Sequence, residues 1–226
     1  MKTRSIWLGL SLVLWLGCFF EHTTLAQADH RVVVCARGCE YRTIQAAIDA
    51  ARPNDTIHIA PGTYVEHLTL YDKQVVLVGE DAATTIVSGN NAGRVLALYA
   101  NSALTMTNIT IRNGKVTDNQ GGGIYNDGLL VIDRSRIVNN SASVSGGGIA
   151  NFGTLRISHS TIAGNTSPGN GAGIVNGGRM TITASMFFGN YAKGRGGAIY
   201  HSVGTFVLTA SSVTNNRADF AGGGIA

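Results

Sequence analysis

Carboxylates are scarce in the second half of this 226-residue chain: from Asn113 onward only Asp118, Asp127, Asp133 and Asp219 occur, and no glutamate. Glycoside hydrolysis needs two carboxyl groups facing each other across the scissile bond. Calcium-assisted elimination needs several oxygens converging on one ion. Upstream, Glu66 closes the segment "GTYVE". Asp133 is followed by Arg134 and Arg136, which, with His159, would make a polar face able to contact a glycan. Tyr125 and Tyr200 offer rings that can lie against sugars. Cys35 and Cys39 in "CARGC" are spaced for a small-loop disulfide in an exported protein, with two free buried thiols as the alternative. Neither these cysteines nor the six dispersed histidines have metal-ligand spacing, so no metal and no cofactor are expected.

What would position these residues is a repeat. "GGGIYN" at Gly121 returns as "GGGIAN" at Gly146, "GAGIVN" at Gly171, "GGAIYH" at Gly196 and "GGGIA" at Gly222. The isoleucines Ile124, Ile149, Ile174, Ile199 and Ile225 follow one another by 25, 25, 25 and 26 residues. A fixed period of this size means stacked units. Leu130, Ile132 and Ile137 have apolar counterparts on the same beat, and Ser135 and Asn140 have identical ones. The extra residue falls in "HSVG", where an outward bulge absorbs it.

Apolar residues alternate in steps of two within "LLVIDRSRIVNN", which is strand periodicity. Three short strands per unit are expected, around "GIYN", "LVI" and "SRI", followed by a turn and a loop. No stretch has the length or period of a crossover helix, so each strand pairs with its own copy one unit later. The fold class is therefore an all-β, right-handed parallel β-helix, the hand being that of parallel connections in general. Each glycine group runs into a strand, whereas a phosphate cradle needs a following helix, so the glycines are read as structural. Asn140, Asn165, Asn190 and Asn216 should form a buried ladder, since an amide both donates and accepts. The columns of Asp127 and Asp133 continue as Phe152 and Gly177, and as Ser158 and Thr183, so no acidic line forms.

Ahead of the repeats, Ile44, Ala47, Ile48 and Ala51 share one face of a short helix that Thr43 caps and Pro53 ends. Such a helix covers the open end of a solenoid core. Strands from "TIHI" to "LTMTNITI" then build less regular coils, about seven coils in all by this count. At the amino terminus, Lys2 and Arg4 precede the uncharged run "IWLGLSLVLWLGCFF", and "AQA" ends at Ala28. Residues 1–28 read as a secretory signal, with lipoprotein processing at Cys18 as the alternative. Of 17 Lys+Arg and 13 Asp+Glu, Lys2, Arg4 and Glu21 fall in that leader, which leaves 15 against 12. The basic residues are scattered, so no nucleic-acid partner is implied, and no membrane span is expected in the mature chain. The sequons at Asn108, Asn139 and Asn165 matter only in a eukaryotic secretory pathway.

"TIQAAIDAA", "NDTIHIAPGTYVE" and "VVLVGE" resemble, in that order, the amino-terminal part of the pectin lyase-like superfamily. "FFGN" at Phe187 and "GGAI" at Gly196 resemble the paired motifs of chlamydial polymorphic outer-membrane protein repeats. "IVNN", "IAGN" and "VTNN" depart from the first of these by carrying Ile or Val for Phe. The superfamily includes pectate lyases, polygalacturonases and pectin methylesterases, and "GTYVE" matches a short motif of the last. The later esterase segments that supply two aspartates and an arginine have no counterpart here, so no catalytic residue is carried over. The reading is a single domain over residues 29–226, secreted or displayed at the cell surface, acting as an adhesion, envelope or glycan-contact module. A polysaccharide-active enzyme, with its cluster in the irregular coils or beyond residue 226, is the alternative. The last "AGGGIA" opens a further coil, which implies a continuing chain.

Overall fold

The computed structural model describes residues 32–226. The leader, Cys18 and the cleavage position after Ala28 lie outside the described residues. The described chain is a parallel β-helix with one short helix, α1 (Ile44–Ala50). Four parallel sheets form its sides. Sheet A stacks eight strands, from Val32–Val34 to Thr205–Thr209. Sheet B stacks seven, from Gly62–Val65 to Ser212–Thr214. Sheet C stacks six, from Leu68–Leu70 to Ile199–His201, and sheet D stacks five pairs of residues, from Lys115–Val116 to Arg217–Ala218.

Sheet D is a fourth side where the sequence suggests only a loop. Its strands, such as Ser141–Ala142 and Tyr191–Ala192, are two residues long, too short to show alternation. The burial of Ala142 and Ala192 shows that this side faces the core too.

Register follows the repeat. Ile124 pairs with Ile149, Leu130 with Leu155 and Ile137 with Ile162, so like apolar residues stack into continuous core columns. Burying each such side chain is worth roughly 1.5–3 kcal/mol. The earlier coils are irregular: Ile57 pairs with Leu77 after 20 residues, and Leu77 with Met106 after 29. The insertion in "HSVG" leaves Val203 exposed and Gly204 at φ +96°, and sheet A resumes in register with Arg179 opposite Thr205.

Three of the four corners in the repeats have a left-handed residue. The corner from sheet A to sheet B uses Asn108, Arg134, His159, Ala184 and Ala210, all at positive φ. The corner after sheet B uses Asn113, Asn139, Gly164, Gly189 and Asn215, the residue types that tolerate this region best. The first glycine of each repeated motif also has positive φ, +71° at Gly121. The amides of Gly121, Gly122, Gly123 and Ile124 donate to the carbonyls of Ser145, Gly146, Gly147 and Gly148 one coil on. Those donors are spent on coil stacking, which accounts for the motif structurally.

Buried polar columns accompany the apolar ones. Nδ2 of Asn140 donates to Oδ1 of Asn165 (3.1 Å), Asn165 to Asn190 (2.9 Å) and Asn190 to Asn216 (2.8 Å). The same Oδ1 atoms accept the backbone N–H of Asn140, Asn165 and Asn190. A serine column does likewise: the amides of Ser135, Ser160 and Ser185 donate to Oγ of Ser160, Ser185 and Ser211. A second amide ladder runs through Asn126, Asn151 and Asn176 and ends on Nδ1 of His201. The final residues of "GIYN", "GIAN", "GIVN" and "AIYH" carry its signal, which the repeated Gly and Ile overshadow.

Replacing Asn165 by Ala strands the N–H of Asn140 and takes one hydrogen bond each from the Asn140 amide, the Asn190 Oδ1 and the Ile137 carbonyl, which keep other partners or lose only this donor. An unsatisfied buried group costs roughly 1–3 kcal/mol, so the urea unfolding free energy of Asn165→Ala should fall by at least ~1 kcal/mol. An unchanged unfolding midpoint would show that the ladder contributes nothing to stability.

Candidate functional site

Glu66, the acid of "GTYVE", faces the cap. Its Oε1 accepts from the N–H of Ile44 (2.9 Å) and its Oε2 from that of Gln45 (3.0 Å), two of the unpaired amides that begin α1. Gln45 continues the clamp: its side-chain amide exchanges two hydrogen bonds with the backbone of Thr69, the edge of sheet C (3.1 and 2.8 Å). At the other end Lys73 Nζ donates to the carbonyls of Asp49 (2.8 Å) and Ala51 (3.1 Å). A negative group at the start of α1 and a positive one at its end both match its dipole. The apolar face of Ile44, Ala47 and Ile48 is thereby pressed onto the first coils. Cys35 and Cys39 beside it are joined by a disulfide with 5.6 Å between Cα atoms.

Asp133 sits at the corner between sheets A and B. Its Oδ2 pairs with Arg134 Nη2 (2.9 Å), while its Oδ1 accepts from Ser158 Oγ (2.7 Å) and lies 3.1 Å from His159 Nδ1. Burial raises its pKa, but the hydrogen bonds from Ser158 and His159 and the charge of Arg134 outweigh that, leaving it below the usual carboxylate value. Serine and histidine share one carboxylate oxygen here and are not bonded to each other. A nucleophile relay needs the serine on the histidine, so this cluster is a clasp between two coils.

The aromatic candidates are placed elsewhere. Tyr125 points out from sheet C, and its column continues through Ala150 and Val175 to Tyr200, three coils away. At roughly 4.8 Å per coil this separates the two rings by about 14 Å. Arg134 and His159 project from the corner beyond sheet A. The four proposed contact residues therefore do not converge on one patch.

Tyr125 belongs instead to an aromatic ridge that sequence spacing does not reveal. Tyr71 and Tyr99 stack at 4.3 Å with ring planes 7° apart, and Tyr125 bridges Tyr99 (5.9 Å) to Phe152 (5.7 Å). The neighbouring column holds Tyr71, Tyr99, Asp127 and Phe152, so Tyr125 leans across where Asp127 breaks the series. Arg94 lies 5.2 Å from the Tyr125 centroid and donates to the carbonyls of Gly121 (2.9 Å) and Gln120 (2.8 Å). Burial, then Asp127, raises the pKa of Tyr125, with Arg94 acting the other way.

Among the described residues no three His, Cys, Asp or Glu side chains gather as a metal site, and no helix is long and apolar enough to cross a membrane.

The Chlamydia polymorphic membrane protein (Chlamydia_PMP) repeat matches residues 185–202. That segment holds the Phe187 core position, the left-handed Gly189, the ladder amide Asn190 and the glycine corner at Gly196. No curated protein sequence matches the chain. Among solved structures it is similar to pectin methylesterase PemA from Erwinia chrysanthemi, at 13% identity and TM-score 0.52, over 78% of this chain and 66% of that one. It is also similar to the pectin methylesterase from Aspergillus niger, at 14% identity and TM-score 0.50, over 83% and 86%. The chain thus spans just under two thirds of the length of PemA. At these identities the shared property is the pectin lyase-like β-helix fold.

Because the folded pKa of Asp133 is depressed, its contribution is complete above the unfolded value of about 3.9 and is lost as pH falls through the folded one. Urea midpoints should place wild type above Asp133→Asn by more at pH 6 than at pH 3. A gap that is the same at both pH values would contradict this clasp.

Proposed function

We propose that the chain is a secreted or surface-displayed β-helix module that contacts glycans without turning them over. The observation that carries this reading is the commitment of Glu66 and Asp133 to structure. Glu66 is bonded to two helix amides, and Asp133 is bonded to Ser158 and His159 and paired with Arg134. A general acid and its partner must be free to face substrate.

The repeat match supports surface display, since the matching family is one of membrane proteins. The fold likeness supports a polysaccharide partner, since both solved structures are esterases of pectin by name. In this reading residues 1–28 are removed on export, residues 29–226 form one continuous β-helix, and Cys35–Cys39 locks its capped end.

The purified chain, incubated with pectin or polygalacturonate with or without calcium, should release no methanol, reducing ends or unsaturated ends above a heat-treated control. It should nevertheless be retained on an immobilised polysaccharide. Turnover that survives purification would establish the enzyme reading instead.

A further inference from the structure

We propose that the outer face of sheet D holds a subsite for a hexopyranose bearing a carboxylate or sulfate, stacked on Tyr191 with its anionic group on Lys193. This rests on the glycan-contact reading and gives it a place and a ligand class. A shallow depression of about 310 Å³ opens there, lined by Ser141, Thr166, Ser167, Pro168, Tyr191 and Lys193.

Its wall is held in position before any ligand arrives. The Tyr191 hydroxyl donates to Asp219 Oδ2 (2.6 Å), and Arg217 Nη2 donates to Asp219 Oδ1 (2.9 Å). The Arg217 guanidinium carbon lies 5.0 Å from the ring centroid. Sheet D register runs Lys115, Ser141, Thr166, Tyr191, Arg217 along one outward column. Arg217 therefore backs the ring from the carboxyl-terminal side, and the depression lies on the opposite side, over Thr166 and Ser141. Pre-organisation of this kind lowers the ordering cost of binding.

The floor suits a sugar. Ser141 and Thr166 are small, and from Ser141 to Tyr191 is two coil steps, roughly 10 Å. That is room for one pyranose, with its C–H face on the ring and hydroxyls over the serine and threonine. The charge suits an anion. Lys193 has its N–H on the Ser167 carbonyl, and its ammonium makes no hydrogen bond or ion pair among the described residues. Lys115 stands at the far end of the column, and Asp219, whose charge also feels Lys193, is held by its hydrogen bonds to Tyr191 and Arg217. Tyr71 and Tyr99 stack on each other at the end of sheet C and do not line this depression.

Isothermal titration of the mature protein with three probes tests this: a sulfated heparin tetrasaccharide, tetragalacturonate and neutral cellotetraose. At least one charged probe should bind at least about ten-fold more tightly than the neutral one. Tyr191→Ala should weaken that binding about ten-fold, Lys193→Gln should abolish the preference for charge, and Tyr71→Ala should leave both unchanged. Lys193 is exposed, so its variant tests the site even if Tyr191→Ala is poorly folded. Which charged probe binds identifies the anionic group. Unaltered binding in both Tyr191→Ala and Lys193→Gln would overturn the subsite while leaving glycan contact standing. Equal affinity for all three probes would overturn the anionic ligand. No binding of any probe to wild type would overturn the subsite and the glycan-contact reading together.

Discussion

A polar side chain turned into this core has no water to satisfy it, so its partners must come from neighbouring coils, and within the repeats they come largely from the matching residue one coil away. The rest of the structure depends on that constraint. Asn140, Asn165, Asn190 and Asn216 hold the turn after sheet B, Asn126, Asn151, Asn176 and His201 hold the end of sheet C, and the serines hold the corner after sheet A. A shift of one residue in any coil would leave amides unpaired on two neighbours. The ladders thus enforce the 25-residue period as strongly as the isoleucine columns do, and the one insertion is confined to an exposed bulge at Val203.

The same economy accounts for Asp133 and Glu66. Where a coil departs from its neighbours, a charged side chain repairs the departure. Asp133 joins its own coil to the next through Ser158 and His159. Glu66 and Lys73 hold the ends of the cap helix, which no full coil precedes among the described residues. Carboxylates used in this way are held in fixed hydrogen bonds, whereas polysaccharide chemistry needs them mobile in protonation and open to substrate. Binding makes a weaker demand: rings, hydroxyls and a cation at suitable spacing, the set that the proposed subsite on sheet D would use.

Much of this was legible in the sequence, because a solenoid converts spacing into adjacency. Residues one period apart are neighbours, and that rule alone places the Ile124, Leu130, Ile132, Ile137 and Asn140 columns and the parallel pairing of each strand with its copy. It does not say which columns approach one another around a coil. Tyr125 and Tyr200 share a column yet lie three coils apart, whereas Tyr125 and Tyr99 occupy different columns and touch. Sheet D escaped notice because two residues carry no period. The role of Glu66 was hidden because its partners are backbone amides more than twenty residues earlier, in a stretch outside the repeat.

The central claim is that side-chain ladders lock each coil to the next. Native-state hydrogen exchange at the amides of Asn140, Asn165, Asn190, Ser135, Ser160 and Ser185 tests it most directly, since each donates to a side chain of the following coil. The account predicts that Asn140, Asn165, Ser135 and Ser160 exchange only through global unfolding, with the same free energy as the sheet A amides of Leu130 and Ile157. Fast exchange of these amides through local opening, while the sheet amides stay protected, would contradict it.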